Sequence, residues 1–278
     1  MTWWAIDVRT SPEGRDELGA WLVTRTGQAV EERDDGTLVT FAPDELAADE
    51  LIAEIGQAAG SFAPETSRRR IEPVDWSTRW RDGLGSRSFG RLTVAPSWAP
   101  TPVDSRGPIV VLDPETAFGS GEHGSTRVAL SLLERLVQPG DLVLDLGSGS
   151  GILALAAVKL GAARAIGIEN DPEANVVAAR NASRNGVEGA VEFLDGDAGD
   201  LAPLLGPVDL VLSNILRSAN TALLPAIARA LIAGGTAIFS GMEVAEAPLF
   251  LPALESAGFT VLEERTDTGW WGVAARRK

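Results

Sequence analysis

The stretch from Leu142 to Asn170, LVLDLGSGSGILALAAVKLGAARAIGIEN, constrains the fold of this chain more than any other. It opens with an apolar run that ends at Asp145, passes through glycines at 147, 149 and 151, and continues as an Ala-rich apolar segment. A second apolar run ends at Glu169. Such runs are typical of buried parallel strands, and the segment between them is typical of a crossover helix. The stretch therefore predicts a β-α-β unit of an open, doubly wound sheet.

The glycine turn and its two flanking acids predict a nucleotide-like ligand. The turn lets a ligand approach the backbone where a helix begins, and an acid at the end of the second strand can accept hydrogen bonds from two ribose hydroxyls. The dinucleotide fingerprint G-x-G-x-x-G, counted from Gly147, needs a third glycine where this chain has Ile152. A carboxylate at Asp145 disfavours a pyrophosphate but suits a methionyl ammonium group. We therefore expect S-adenosylmethionine, held by Gly147, Gly149 and Glu169, rather than NAD; the alternative is an α/β domain whose glycines only turn the chain.

The composition excludes several classes of function. The chain has no cysteine and one histidine, His123, so disulfides, thiolate catalysis, cysteine-ligated zinc and multi-histidine metal sites are excluded. A formal net charge of −15 disfavours nucleic acid and favours a basic partner. There is no apolar run of about eighteen residues and no secretory signal pattern. We expect a cytoplasmic, monomeric protein that binds no membrane and makes no direct contact with nucleic acid.

The first 74 residues predict a separate small domain. Strands are expected at 3–9, 28–32, 37–41 and 68–74, and helices from Pro12 to about Arg25 and at 44–59. The order β-α-β-β-α-β is the split, ferredoxin-like α+β plan. A small domain beside a cofactor domain suggests substrate recognition. Residues 75–90 are expected to form a linker helix on which Trp76 and Trp80 share one face and pack between the domains or line a substrate path.

Residues 91–278 predict an α/β domain of Rossmann-like type. Strands are expected at 91–98, 109–112, 142–144, 165–168, 191–194, 208–212, 235–240, 259–264 and 271–275. Helices are expected at 125–137, 152–160, 172–185, 221–231 and 245–257. The last two strands have no helix between them and would form an antiparallel hairpin. This is the arrangement of seven-stranded class I methyltransferases.

Three further segments contribute candidate site residues. The sequence DPETAFGSGEHGSTR, 113–127, has three glycines and predicts a flexible loop that can fold over the cofactor, with His123 as a general base or an ordinary loop histidine. Asp197 follows the third strand of the sheet and is expected either to meet the adenine edge or to act only as a turn residue. Asn214, in SNIL, follows the fourth strand, where ligands bind in open α/β sheets, or else caps the strand.

The segments LDPETAFGSGEHGSTR, LDLGSGSGILALAAVKLGAARAIGIENDPEA and SNIL resemble the PrmA family, the methyltransferases of ribosomal protein L11. The likeness covers essentially the whole chain, including DWSTRW and FGRLTVAPSW. It implies S-adenosylmethionine-dependent N-methylation of lysine and α-amino groups of a basic ribosomal protein, which the N-terminal domain recognises while the linker lets that domain reposition. The family's cofactor contacts fall on Thr126, Gly147, Glu169 and Asn214.

This chain departs from the family pattern at several positions. The family more often has aspartate at the position of Glu169. Its loop usually reads close to F-G-T-G-x-H-x-T-T, so Ser120 and Ser125 replace threonines, and Gly124 is expected to add flexibility. These changes keep the hydroxyl groups but remove methyl contacts, so substrate fit is the part of the resemblance that they affect most.

Methyl transfer from a sulfonium mainly needs positioned reactants and a desolvated, neutral amine. We expect Asn214 and the Thr126 loop to orient the amine without a dedicated base. Phe118, Trp270 or Trp271 would supply an apolar wall that also holds a cationic product. The alternatives are a methyltransferase for another protein or a small molecule, an NAD-dependent oxidoreductase, and a binding module without catalysis.

Overall fold

A computed structural model describes residues 3–26, 30–33, 35–58, 64–70, 85–99, 107–115 and 117–278. The chain divides into two compact units, Met1–Arg79 and Trp80–Lys278. The predicted domain boundary at 74 and the linker up to residue 84, with both of its tryptophans, lie outside the described residues. The end of the predicted linker helix contains a strand, β5 (Arg87–Phe89), so the helix prediction is wrong there.

The first unit is a four-stranded sheet with two helices. Its elements are β1 (Trp4–Arg9), α1 (Pro12–Thr26), β2 (Glu31–Glu32), β3 (Leu38–Ala42), α2 (Glu45–Ala58) and β4 (Glu65–Arg70). The strand order is β2-β3-β1-β4 and all neighbours are antiparallel. This confirms the ferredoxin-like plan. The fourth strand begins earlier than predicted, and predicted residues 71–74 lie outside the described part of the chain.

The second unit contains the remaining elements. These are β6 (Leu92–Ala95), β7 (Ile109–Val111), α3 (Gly124–Leu136), β8 (Leu142–Leu146), α4 (Ile152–Leu160), β9 (Arg164–Glu169), α5 (Pro172–Asn185), β10 (Val191–Asp195), α6 (Ala198–Leu205), β11 (Val208–Asn214), α7 (Arg217–Ala230), β12 (Leu231–Glu243), α8 (Ala247–Ser256), β13 (Phe259–Asp267) and β14 (Trp270–Arg277). Strands β5, β6 and β7 form a small separate sheet. The sequence analysis missed α6, because Gly199 and Pro203 argue against a helix there. Among the described residues, no helix is both long and apolar enough to span a bilayer.

The main sheet has seven strands in the order β10-β9-β8-β11-β12-β14-β13. The first five are parallel, whereas β14 runs antiparallel to both of its neighbours. This confirms the predicted terminal hairpin and the class I arrangement. Because β8 and β11 are neighbours while the chain proceeds outward from β8 through β9 to β10, the strand order reverses between them. The carboxyl ends of these two strands are therefore the expected ligand site.

Two apolar cores cover the two faces of this sheet. One core is formed by α3, α4 and α5 against the sheet and includes Leu130, Leu133 and Leu155, all fully buried. The other is formed by α6, α7 and α8 and includes Phe239 and Phe250, also fully buried. Strands covered on both faces need apolar side chains in both directions, which explains the unbroken apolar runs that the sequence shows. The sheet is thereby a rigid platform for the loops at its carboxyl edge.

Candidate active site

The turn between β8 and α4 requires glycine at positions 147 and 149. Gly147 and Gly149 have φ values of +70° and +51°, in the left-handed region. A Cβ atom on Gly147 would lie 2.7 Å from Cγ2 of Ile215, and one on Gly149 would lie 2.7 Å from the carbonyl oxygen of Phe118. Two other loops therefore approach this turn closely, and both side-chain volume and backbone conformation require glycine.

Glu169 closes the turn from the end of β9. Its Oε2 accepts a hydrogen bond from the amide of Gly149 at 3.0 Å. Its Oε1 accepts from the amides of Asn170 and Asp171 at 2.9 and 3.1 Å. The structure thus brings Gly147, Gly149 and Glu169 together. The carboxylate already has three backbone donors, so ribose hydroxyls would have to share or replace some of these bonds.

Asp145 is a buried acid directly below the glycine turn. It is 1% exposed, and its Oδ2 accepts from the amide of Ala154 at 3.0 Å. Its Oδ1 has no hydrogen-bond partner among the described residues. Burial raises the pKa of Asp145 to about 7, and the nearby charge of Glu169 acts in the same direction. A cation bound here would therefore both satisfy Oδ1 and favour the ionised carboxylate.

Thr126 and Asn214 meet beside the turn, although they lie far apart in the sequence. Asn214 ends β11 and its Nδ2 donates to Oγ1 of Thr126 at 3.2 Å. Thr126 is fully buried in the first turn of α3. Within the described part of the chain, Oδ1 of Asn214 has no partner although it is buried. The threonine thus holds the amide with its carbonyl oxygen free for a ligand.

Asp197 is the N-cap of α6. Its Oδ1 accepts from the amides of Gly199 and Asp200 at 2.7 and 3.2 Å. The turn role that the sequence analysis gave as one alternative is therefore present. Asp197 also lines a cavity of about 390 Å³ next to the glycine turn. The cavity lining includes Gly147, Ile168, Asp197, Ile215, Leu216 and Leu223.

S-adenosylmethionine fits these residues because several of their buried oxygen atoms have no hydrogen-bond donor in the described part of the chain. Oδ1 of Asp145, Oγ of Ser148 and Oδ1 of Asn214 are buried without hydrogen-bond partners among the described residues. Buried acceptors are normally satisfied, so such groups around a glycine turn that also borders a cavity are typical of a ligand site. The cavity of about 390 Å³ beside the turn is lined mainly by apolar side chains. A nucleoside that carries an ammonium group supplies hydrogen-bond donors for the oxygens and a ring for the apolar cavity.

The 113–127 loop is bonded to the glycine turn. The carbonyl oxygen of Phe118 accepts from the amide of Ser150 at 2.9 Å, and that of Gly119 accepts from Oγ of Ser150 at 2.6 Å. The prediction that Gly124 adds flexibility is wrong. A Cβ atom there would lie 2.7 Å from Oγ1 of Thr268, so Gly124 permits close packing instead.

An aromatic group lies on this loop. The ring of His123 lies 4.3 Å from that of Trp270 and 5.4 Å from that of Phe118, centroid to centroid. Oγ of Ser125 is hydrogen bonded to Nδ1 of His123 at 2.7 Å. Phe118 is 57% exposed, so one side of the group faces solvent. The three rings form a wall that can desolvate an incoming amine.

Trp271 cannot belong to this wall, so that alternative is wrong. It is 2% exposed, belongs to the core on the α6–α8 face, and its Nε1 donates to Oε2 of Glu264 at 2.9 Å. Side chains alternate between the two faces of a strand, so Trp270 and Trp271 point to opposite sides. The apolar run at the end of the chain gave no means of choosing between them.

Some site residues were missed by the sequence analysis. Ser150 anchors the loop, and Ile215 and Leu216 line the cavity. The last two are part of the SNIL motif, so the signal was present in a segment already selected. Ser150 lies within the glycine turn but has no pattern of its own, because its role depends on a loop distant in the sequence.

Comparisons with known proteins agree with this geometry. Residues 6–278 match the family described as ribosomal protein L11 methyltransferase (PrmA). The ribosomal protein L11 methyltransferase of Pelotomaculum thermopropionicum is 35% identical over the full length of both chains. That of Thermus thermophilus is 41% identical over 70% of this chain and 75% of the relative. A crystal structure of ribosomal protein L11 methylase from Lactobacillus delbrueckii subsp. bulgaricus, 33% identical, superposes with a TM-score of 0.63 and covers 70% of this chain and 99% of that chain.

The family match and the Pelotomaculum relative extend over both units, and the range 6–278 includes every motif described above. They leave the NAD-dependent alternative without support, in agreement with Ile152, which is 2% exposed where a dinucleotide fingerprint needs glycine. The chain therefore belongs to the ribosomal protein L11 methyltransferase family and is an S-adenosylmethionine-dependent protein methyltransferase.

Proposed function

We propose that this enzyme N-methylates lysine and α-amino groups of ribosomal protein L11 in the pocket bounded by Gly147, Glu169 and Asn214. The observation that carries the proposal is the pair of unpartnered, buried oxygens of Asp145 and Asn214 at the ends of the adjacent strands β8 and β11. Leaving a buried acceptor unsatisfied costs about 1–3 kcal/mol, so a ligand that brings donors to both is favoured.

The cofactor half of the pocket follows from the same atoms. Asp145 would hold the methionyl ammonium group, Glu169 would accept from the ribose hydroxyls, and Asp197 and the apolar cavity would hold the adenine. Gly147 and Gly149 let the ligand lie against the backbone. When bound, S-adenosylmethionine supplies a methyl group already activated by its sulfonium.

The acceptor half prepares the amine. A free lysine has a reference pKa of about 10.4 and must lose its proton before it can attack. The wall of Phe118, His123 and Trp270 disfavours the charged form by burial. Oδ1 of Asn214 accepts one N–H of the neutral amine and directs the nitrogen lone pair at the methyl group. No dedicated base is required, because the proton can leave to solvent past the exposed face of Phe118.

Recognition of the substrate as a whole is assigned to the N-terminal unit. A separate ferredoxin-like unit and a formal net charge of −15 support capture of a basic protein rather than nucleic acid. Repositioning of this unit relative to the second one would let several amino groups reach one pocket. A cytoplasmic monomer is part of the same proposal.

The test combines an activity assay with cofactor binding. Ribosomal protein L11 from the same organism, incubated with enzyme and S-adenosylmethionine, should gain mass in whole methyl groups, and peptide mapping should place them on amino groups. Calorimetry with S-adenosylhomocysteine should show weaker binding to Glu169→Ala and Asn214→Ala. Unchanged affinity in both variants would refute the assigned pocket. An L11 that gains no methyl groups from an enzyme that binds the cofactor would refute the substrate.

A further inference from the structure

The turn between β13 and β14, Asp267–Trp270, is bonded to the first turn of α3, which contains Thr126 and Arg127. Nε and Nη2 of Arg127 donate to the two carboxylate oxygens of Asp267 at 2.6 and 3.0 Å. Nη2 also donates to Oγ1 of Thr268 at 2.9 Å, and Nη1 donates to the carbonyl oxygen of Glu122. One planar guanidinium thus joins the C-terminal turn to both the helix start and the loop, in the bidentate geometry that only arginine provides.

The packing on the other side of this contact is equally close. Gly124 leaves no room for a side chain, since a Cβ atom would lie 3.0 Å from the carbonyl oxygen of Asp267 and closer still to Thr268 and Trp270. The ring of His123 lies against that of Trp270. Polar and apolar contacts therefore fix the loop against the same four residues.

The C-terminal turn itself contains backbone strain. Thr268 has φ +46°, and Gly269, next to it, has φ +85°. A β-branched residue is a genuine outlier in the left-handed region, where asparagine or glycine is usual. Strained residues concentrate at functional sites, where surrounding contacts hold them in place. Here the contact is the hydrogen bond that Oγ1 of Thr268 accepts from Arg127.

We propose that the turn Asp267–Trp270 is a clamp for the loop 117–123 and the first turn of α3, and that Arg127 is a positioning residue for methyl transfer. Arg127 follows Thr126, whose hydroxyl holds the amide of Asn214. Release of the clamp would let the start of α3 move away from β11. Misplacement by about 1 Å can lower a rate roughly a hundredfold. The inference rests on the role of Asn214 in the proposed function.

The experiment compares Arg127→Gln with a matched control on the same two elements. Arg135 also lies on α3 and pairs with Glu263 of β13 at 3.1 Å, but at the end of the helix away from the site. Arg127→Gln is expected to lower kcat by roughly ten- to a hundredfold, with the affinity for S-adenosylhomocysteine changed by less than about threefold. Arg135→Gln should retain the wild-type kcat. Arg127→Lys should recover part of the rate, since lysine keeps the charge but not the fork.

Hydrogen exchange tests the clamp without any substrate. Amides of 117–123 should exchange roughly tenfold faster in Arg127→Gln than in wild type, with no such change in Arg135→Gln. Equal kcat values for the two glutamine variants would overturn the inference, whether or not exchange is faster. Unchanged exchange in Arg127→Gln would overturn it as well. A wild-type enzyme that leaves L11 unmethylated would instead contradict the proposed function, while exchange would still decide whether the turn holds the loop.

Discussion

The two halves of the candidate site are built by different means. The cofactor half, the glycine turn with Glu169, is made by backbone conformation and by amides within 30 residues of one another along the chain. The acceptor half, the loop 117–123 and the first turn of α3 with Asn214 and the C-terminal turn, is made by side chains from segments up to 141 residues apart. The hydrogen bonds of the glycine turn and Glu169 lie within a single β-α-β unit, although the cavity beside them also needs Asp197 and Ile215. The acceptor half exists only when the complete sheet has formed.

This difference predicts how each half responds to change. A backbone-built half tolerates little variation at its glycines, because no side chain can adopt their conformation without moving a neighbouring loop. A half built from side chains can lose one contact and keep its fold, but its geometry then shifts. Substitutions in the first half should therefore affect binding and stability, and those in the second should mainly affect rate, except at Asn214, which is assigned to both the cofactor and the amine and should affect both.

The largest expected effect is that of Gly149→Ala. The new methyl group would meet the carbonyl oxygen of Phe118 at 2.7 Å in addition to the strain of φ +51°. Cofactor binding should be abolished, and the unfolding free energy should fall by about 2–5 kcal/mol from strain and overpacking together. Thermal unfolding and calorimetry with S-adenosylhomocysteine measure both.

Gly186→Ala is the matched control for that variant. Gly186 ends α5 with φ +63°, but a Cβ atom there would meet nothing within 4 Å. It should cost only the conformational strain, about 1–2 kcal/mol, and leave the cofactor affinity unchanged. If the two variants were equally destabilised and both bound the cofactor, close approach would not be what demands glycine in the turn.

The next largest expected effect is that of Thr126→Val in the acceptor half. Thr126→Val removes the hydroxyl that holds Asn214 but keeps the buried volume. It should lower kcat by roughly tenfold or more, whereas Thr126→Ser should stay within about threefold of wild type. Steady-state kinetics with ribosomal protein L11 separate kcat from KM. A valine variant as fast as the serine variant would show that the hydroxyl does not orient the amide.

The contrast between the halves also explains what could be predicted from the sequence. The β-α-β unit, the terminal hairpin and the approximate bounds of most elements follow from apolar periodicity and from glycine and proline positions, which are local signals. Helix α6 was not predicted because Gly199 and Pro203 have low helix propensity. In the folded chain, packing in the core on the α6–α8 face of the sheet outweighs that propensity. The choice between Trp270 and Trp271 depends on which face of β14 each residue occupies, and an apolar strand end does not encode that face.

The clamp of Arg127 and Asp267 was beyond the sequence analysis for a related reason. The arginine closes a motif already selected, yet its partner lies in a polar turn with no motif. Likewise, the carboxylate of Glu169 was expected to face ribose, and nothing in the chain indicated that three backbone amides already bind it. Contacts between segments that are distant in the sequence can be predicted only when the fold is known.

A smaller expected effect is a pH dependence of the folding stability that arises from Asp145 in the cofactor half. The folded-state pKa of Asp145 is raised by burial from an ordinary 3.8 to about 7. Between these values the folded protein binds more protons than the unfolded chain, so this carboxyl makes stability fall as pH rises through the window and level off above about pH 7. Asp145→Asn removes the effect, so its stability relative to wild type should improve from pH about 5 to about 8.

The same carboxyl should couple cofactor binding to proton release. A methionyl ammonium group beside Asp145 lowers its pKa, so binding near pH 7 should release part of a proton. Calorimetry in two buffers of different ionisation enthalpy measures the release, and Asp145→Asn should abolish it. Equal proton release by wild type and the asparagine variant would assign the effect to another group.

The smallest expected effect is that of Glu169→Asp, and its comparison with Glu169→Gln tests whether the charge or the length of the side chain matters for cofactor binding. Glu169→Asp keeps the carboxylate but shortens the side chain, so the bond to the amide of Gly149 should be lost while the ribose contacts remain. Calorimetry should show an affinity for S-adenosylhomocysteine within about threefold of wild type. Glu169→Gln keeps the length but loses the charge that makes such hydrogen bonds strong, and should bind roughly tenfold more weakly.

The relative cofactor affinity of these two variants decides between charge and side-chain length. If aspartate bound more weakly than glutamine, the bond across to Gly149 would matter more than the charge, and the cofactor half would depend on a side-chain contact as the acceptor half does. If aspartate bound as well as wild type, the ribose hydroxyls would displace amide bonds of Glu169 in the free enzyme with little net cost, because a bond from a hydroxyl takes the place of each amide bond that is displaced. The backbone-built half would then tolerate exchange of its one side chain, and its glycines alone would be indispensable.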